Sequence, residues 1–266
     1  MITHINQLGP ETPHTGPAPT GTQAIVWSLD TTAHTIGGHH IHDAHTILDT
    51  EERTKAARFL QPDDRHRYTT SHLALRILLG KYLNQPPQHI TLTREPCPTC
   101  GGPHGRPALT HPNLHFSLSH SGNLAYIALA ATPVGIDIEQ TPTPQTVNDI
   151  INTLHPTETT ELKALTPDQQ PPALARLWAR KEACLKATGT GLSQGLTHPY
   201  VSTHPTPPPT PGWTLTDLPA PHGYTAALAQ TQPPTTPHHS PTTAAQSAEP
   251  HQLRLGHTSV ARTDST

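Results

Sequence analysis

Apolar residues in this chain come in short runs broken by proline, glycine and threonine, and the period of each run predicts an element. Residues 23–29 (Gln-Ala-Ile-Val-Trp-Ser-Leu) are an apolar stretch of strand length. After Gly37-Gly38, the histidines His39, His40, His42 and His45 fall in a predicted loop. A helix is predicted from Leu48 onward. Asp49 can cap it, Glu52 stands at the capping-box position, and Pro62 is expected to stop it. A second helix is predicted over residues 63–83, with Tyr68, His72, Leu75, Leu79 and Tyr82 on one face. A short strand at residues 90–93 and a Gly/Pro/Cys loop from Cys97 to Pro107 follow. Strands at 114–118 and 124–130 are expected to join through a turn at residues 119–123.

The second half repeats this order. Residues 134–139 read as a strand. Val147, Ile150, Ile151 and Leu154 form a helical stripe. Pro156 can open the next helix, and Thr166-Pro167 ends it. Pro171-Pro172 suit the first turn of a helix that runs to about Thr188 and stops near Gly189 and Gly191. Short strands are expected at 197–203, 213–218 and 224–229. The predicted fold class is therefore α+β, with two similar α/β halves side by side, at 21–132 and 133–230. Disordered Pro/Thr-rich segments are expected at 1–20 and 231–266.

Composition sharpens this division. The chain has 266 residues, and only 32% are hydrophobic, against roughly 45–50% in a typical globular chain. The deficit sits mainly at the ends and in the proline-rich stretch after Pro199, where Asp217 and Glu249 are the only charged residues up to Pro250. No apolar run reaches the ~18–20 residues of a membrane span, and no signal peptide is evident at the N-terminus. Three cysteines cannot build a disulfide framework, so a cytoplasmic, reduced protein is expected. A net charge of −3 argues against a chain whose whole surface grips nucleic acid. An anionic ligand would have to be held by local charge.

Five segments could carry chemistry. In Gly135-Ile136-Asp137-Ile138-Glu139, strand alternation turns Ile136 and Ile138 to the core. It sends Asp137 and Glu139 to the other face, about 6.5–7 Å apart. Paired carboxylates suit a hard divalent cation such as Mg²⁺; the plainer reading is a solvated acidic face. In the predicted helix at 178–186, Lys181 and Glu182 sit inside the apolar stripe, and Trp178, Glu182 and Lys186 line up at four-residue steps. Charges there are costly unless paired or used, although a half-exposed ion pair would also account for them. Ser119 and His120 can donate to a phosphate, or form an ordinary turn. Lys55, Arg58, Arg65, Arg67 and Arg106 are a basic set, each readable singly as solvated charge. Cys97, Cys100 and His104 make half a zinc ribbon with no second Cys-x-x-Cys.

Taken in order and spacing, these segments resemble the 4′-phosphopantetheinyl transferases of the surfactin-synthetase-activating (Sfp) type. The strand Gly135–Glu139 and the helix Trp178–Lys186 followed by Gly189-Thr190-Gly191-Leu192 match the family's two strongest signatures. The segment Phe116–Ser121 and the tripeptide Gly105-Arg106-Pro107 match two more, and agreement extends over about residues 48–230. The resemblance implies two similar halves related by a pseudo-twofold within one chain, and a monomer. It implies Mg²⁺-dependent transfer of the phosphopantetheine arm of coenzyme A to a serine of an apo peptidyl or acyl carrier protein. Adenosine 3′,5′-bisphosphate would be released, with peptide synthetases or polyketide synthases as the usual clients. Neither nucleic acid nor membrane is an expected partner.

By the same resemblance, Asp137, Glu139 and Glu182 would hold Mg²⁺. Glu182, Lys186 and Asp137 would form the catalytic set, with Glu182 deprotonating the carrier serine. Lys55, Arg58, Arg67, Arg106, Ser119, His120, Lys181 and Lys186 would bind the coenzyme, Lys181 in an orienting role. Glu158 would stand near the metal and assist. A non-catalytic module binding zinc or coenzyme is the alternative that the residues leave open.

Overall fold

Each half of the chain is a sheet backed by one long helix, and the order of elements follows the sequence closely. The computed structural model describes residues 4–110, 113–191, 195–210 and 212–232. The first half contains β1 (Asn6–Gln7), β2 (Ala24–Asp30), a small hairpin of β3 (Thr35–Ile36) and β4 (His39–His40), α1 (Thr50–Ala57) and α2 (Pro62–Leu83). It continues through β5 (Leu92–Arg94), β6 (Pro107–Leu109), β7 (His115–Ser121) and β8 (Leu124–Ala130). The second half contains β9 (Val134–Gln140), α3 (Pro144–Ile150), α4 (Pro156–Lys163), α5 (Gln170–Thr188), β10 (Trp213–Leu218) and β11 (Tyr224–Thr231).

The first sheet has the order β1-β2-β8-β7 and the second β10-β11-β9. Strand β8 shows why the halves belong together. Its Ala125, Ile127 and Leu129 join Leu73, Ile77 and Leu78 of α2 in one core. Its alternate residues Tyr126, Ala128 and Ala130 join Ile136, Ile138, Leu218 and Leu228 in a second core shared by both sheets. A strand buried on both faces reads as an unbroken apolar run, which Leu124–Ala130 is. The outer face of the second sheet is covered by α5, whose Leu174, Leu177, Ala183 and Ala187 pack with Ala227 and Ala229.

Helix ends follow local chemistry. Asp49 and Glu52 form the expected capping box at α1. Gly189, at φ 74°, closes α5 by donating its N–H to the Leu185 carbonyl. Gly135 has a packing role, because a Cβ there would lie 2.0 Å from the Ala183 oxygen and 2.5 Å from the Ala187 nitrogen. Only glycine lets β9 lie this close to α5. Gly135→Ala is expected to cost about 3 kcal/mol, the upper range for overpacking, measured by urea unfolding.

Several local expectations are corrected. Residues 1–20 are not structureless throughout, since Asn6 and Gln7 pair in parallel with Trp27 and Ser28 and Leu8 is buried in the core. The histidine segment forms the β3–β4 hairpin and a 3₁₀ turn at Ile41–Thr46 rather than a loop. Pro62 opens α2 instead of stopping α1, which ends at Ala57. Ser119 and His120 lie within β7, opposite Tyr126 and Ala125. The strand expected at 197–203 is irregular backbone bound by side chains. Arg180, fully buried, donates to the carbonyls of Ser202 and His204 at 2.8 Å, and Glu161 accepts from the Thr203 N–H. Of the tail expected at 231–266, Thr231 ends β11 and the Gln232 N–H donates to the Gly212 carbonyl, whereas Leu192 and residues 233–266 lie outside the described residues.

Candidate active site

The carboxylate strand and the Lys/Glu helix meet where β9 crosses α5. Asp137 is almost fully buried, against the solvated face that alternation allows. Its Oδ1 accepts from Lys186 Nζ at 2.6 Å and from Ser119 Oγ at 2.7 Å, while its Oδ2 is buried without a partner. Edge strand β7 supplies a row of hydroxyls along β9. Ser117 Oγ accepts from the Ile136 N–H at 3.1 Å, and Ser121 Oγ donates to Glu139 at 3.3 Å. The alternation of Ser117, Ser119 and Ser121 thus forms the seam between the sheets.

Burial disfavours the charged form of three carboxylates, and repulsion from Asp137 adds to it for Glu139 and Glu182. Burial raises the pKa of Asp137 against the pull of Lys186. Burial and the charge of Asp137 raise Glu182. Glu139 is pushed up to about 7 by burial, Asp137 and Glu182, against the Ser121 hydrogen bond. The buried, unpartnered Oδ2 of Asp137, with Glu139 and Glu182 near enough to feel its charge, is an oxygen donor set of the chemistry a hard divalent cation takes, although the three carboxylates do not converge on one point.

A folded-state pKa above the unfolded one means that the fold loses stability as pH rises through the window from about 4.5 to about 7. For Glu139 alone the loss is about 3 kcal/mol at full deprotonation. The melting temperature in EDTA is expected to fall between pH 5 and pH 8, and Glu139→Gln should flatten that fall.

Beside this cluster lies a cavity of about 520 Å³, walled by both halves. Lys55, His72, Arg94, Arg106, Glu182 and Lys186 all line it. His120, exposed on β7, has its pKa lowered first by partial desolvation and then by His72, Lys186, Lys55 and Arg67. Lys186, Lys55 and Arg67 thus bring local positive charge to this end of β7, of the kind that attracts an anion. Arg67 reaches Asp64 at 3.0 Å and Asn123 of the β7–β8 turn at 3.3 Å, and Lys55 Nζ lies 5.3 Å from the Tyr68 ring centre.

Other assigned residues are placed differently. Ser119 commits its hydroxyl to Asp137 instead of presenting it to a phosphate. Lys181 is buried in an ion pair with Glu158 at 2.8 Å and also donates to the Pro199 carbonyl. Glu158 is itself fully buried, and it further accepts from the Val201 and His155 N–H groups. These two residues fasten α5 to α4 and the 199–201 segment, so neither the coenzyme role of Lys181 nor the metal role of Glu158 is retained. Arg106 lines the cavity, but its guanidinium holds Glu95 at 2.7 Å and the Ala187 carbonyl at 2.6 Å. It bridges the first half to the end of α5. Arg58 is the exposed C-cap of α1 and is not among the residues lining the cavity. Glu139 borders a separate small recess with Trp178.

His72 and Arg94 were not singled out as site residues from the sequence. His72 interrupts an otherwise apolar helical stripe, and that break was the available signal. It bonds Glu52 at 2.9 Å and stacks on Tyr68. Arg94 carried no signal beyond its charge.

Comparison with known proteins bears on the family and the two-part fold. The 4′-phosphopantetheinyl transferase superfamily profile matches residues 133–229, and the 4′-phosphopantetheinyl transferase N-terminal profile matches residues 37–134. The 4′-phosphopantetheinyl transferase HetI of Nostoc is 33% identical over 199 residues, 71% of this chain and 81% of that protein. A Synechocystis protein bearing a provisional 4′-phosphopantetheinyl transferase name is 32% identical over 179 residues, 65% of this chain and 68% of that protein. The Sfp transferase of Bacillus subtilis is 29% identical over 149 residues, 56% of this chain and 63% of that protein. Among the described residues no helix is long and apolar enough to cross a membrane. With two α+β halves matched in order by two profiles, and a relative 33% identical over 81% of its length, the chain belongs to the 4′-phosphopantetheinyl transferase superfamily.

Proposed function

We propose that this protein transfers the phosphopantetheine arm of coenzyme A to a serine hydroxyl of an apo peptidyl or acyl carrier protein, as a monomer in the cytoplasm. The serine oxygen bonds to the β-phosphorus, the bond from that phosphorus to the bridging oxygen breaks, and adenosine 3′,5′-bisphosphate departs. The observation that carries this reading is the juxtaposition of Asp137, Glu182 and Lys186 with a cavity whose other wall is basic.

Asp137, Glu139 and Glu182 would hold Mg²⁺, which supplies charge neutralisation at the pyrophosphate when bound. Glu182 accepts the proton of the carrier serine. Its half-buried carboxylate lines the cavity, within reach of a substrate hydroxyl bound there. Lys186, tied to Asp137 in the unliganded chain, neutralises charge on the departing phosphate. Lys55, Arg67, His72 and His120 hold the 3′-phosphate of the nucleotide. Peptide synthetase and polyketide synthase carriers are the expected clients.

The test is product formation from coenzyme A, Mg²⁺ and a panel of apo carriers. Adenosine 3′,5′-bisphosphate should appear only when a carrier with its serine is present. Its absence with every peptidyl and acyl carrier would refute the reading.

A further inference from the structure

The tightest group of metal-ligating side chains among the described residues is not the carboxylate set. It is Cys97, Cys100 and His104, whose ligand atoms all lie within 4.8 Å of one another. Cys100 Sγ and His104 Nε2 are 3.0 Å apart, and neither cysteine is in a disulfide. In a tetrahedral zinc site, bonds of ~2.3 Å to sulfur and ~2.0 Å to nitrogen place ligand atoms about 3.6 Å from each other. The spacings between the three ligand atoms therefore lie within about 1.2 Å of those that one ion requires.

The backbone is already shaped for that ion. The loop from Cys97 to Gly102 closes on itself, with Cys97 N–H donating to the Gly102 carbonyl and Gly101 N–H to the Cys97 carbonyl, both at 2.7 Å. The N–H groups of Thr99 and Cys100 point at the Cys97 sulfur. Gly101 has φ +72°, and a Cβ on Gly102 would stand 3.0 Å from the His104 ring and 3.3 Å from Cys100 Sγ. Both glycines thus serve the approach of the ligands. Cys97 is buried, whereas Cys100 and His104 are exposed, so the remaining coordination position opens to water.

We infer that Cys97, Cys100 and His104 bind one thiophilic divalent cation, Zn²⁺ by ligand chemistry, which staples the loop between β5 and β6. Two thiolates and an imidazole favour zinc over the hard cations suited to Asp137, Glu139 and Glu182. The staple's effect reaches the cavity. His104, Gly105 and Arg106 line it directly. The loop is anchored at its base by the Glu95–Arg106 backbone pair at 3.0 Å and by the Arg106 bond to the Ala187 carbonyl. A metal at its tip would fix the far end of the same lever. This assignment rests on loop geometry alone and stands whether or not the chain transfers phosphopantetheine.

The experiment uses the full chain, purified without chelator or affinity histidines from cells supplied with zinc. Elemental analysis after dialysis should give one zinc per chain. Replacement by Co²⁺ should give thiolate-to-cobalt charge-transfer absorption. Cys97→Ser/Cys100→Ser should lose both, whereas His39→Gln/His42→Gln/His45→Gln should keep both, which separates the site from adventitious binding by the histidine-rich surface. If the cysteine variant fails to fold, the wild-type chain decides: bound zinc should protect Cys97 and Cys100 from alkylation, and stripping it should raise amide exchange across residues 95–106. Substoichiometric zinc, zinc that survives the cysteine variant, cobalt without the charge-transfer band, or unchanged alkylation would overturn the site. Unchanged exchange on stripping would overturn the staple.

Discussion

Glu182→Gln is expected to slow transfer about 10³-fold or more while leaving the fold and coenzyme binding nearly intact. The substitution keeps the shape of a half-buried side chain on α5 but removes its capacity to accept a proton. General-base catalysis alone is worth about 10²–10⁴-fold, and the proposed metal set loses one anionic oxygen. The loss should appear in kcat, with KM for coenzyme A shifted only a few-fold, because the basic wall of Lys55, His72 and Arg94 is untouched. One less negative charge also relieves Glu139, whose raised pKa owes part to Glu182. The metal-free variant should therefore melt higher than wild type at pH 8. Activity within tenfold of wild type would show that Glu182 is not the base.

Lys181→Ala gives the opposite pattern, although it changes the adjacent residue. Lys181 and Glu158 form a buried pair at 2.8 Å. Removing one partner strands the other charge in the interior, at a cost of about 3–5 kcal/mol. For a chain of this size that corresponds to a fall in melting temperature on the order of 10 °C. The folded fraction should keep its coenzyme affinity within about twofold. Lys181→Met/Glu158→Gln should recover part of the stability, since glutamine still offers an oxygen to the Val201 N–H. A weakened coenzyme affinity with unchanged stability would restore Lys181 to the binding site.

These two neighbours show where the sequence is legible and where it is not. The strand of alternating carboxylates and the helix with charges inside its apolar stripe were both readable, because period and residue type are local. So was the capping box of α1. What could not be read was which charge in the stripe turns inward to a partner. Lys181 meets Glu158 from α4, and Lys186 meets Asp137 from β9, and both pairings are set by tertiary packing. The expected phosphate role of Ser119 fails for the same reason, because nothing in Ser-His-Ser states that β7 runs along β9, where its hydroxyl meets Asp137. The strand expected at 197–203 fails because Arg180 and Glu161 bind its backbone groups, satisfying them without a ladder.

In the proposed function this chain modifies a carrier serine at the carboxylate–lysine site. Intact-protein mass spectrometry of an apo carrier tests it most directly, after incubation with this protein, coenzyme A and Mg²⁺. The carrier should gain the mass of one phosphopantetheinyl group. No gain is expected when the carrier serine is replaced by alanine, when EDTA replaces Mg²⁺, or when Glu182→Gln replaces the wild-type chain under the same short incubation. A carrier panel that stays at its apo mass with the wild-type protein, or a gain that persists undiminished in EDTA, would contradict it.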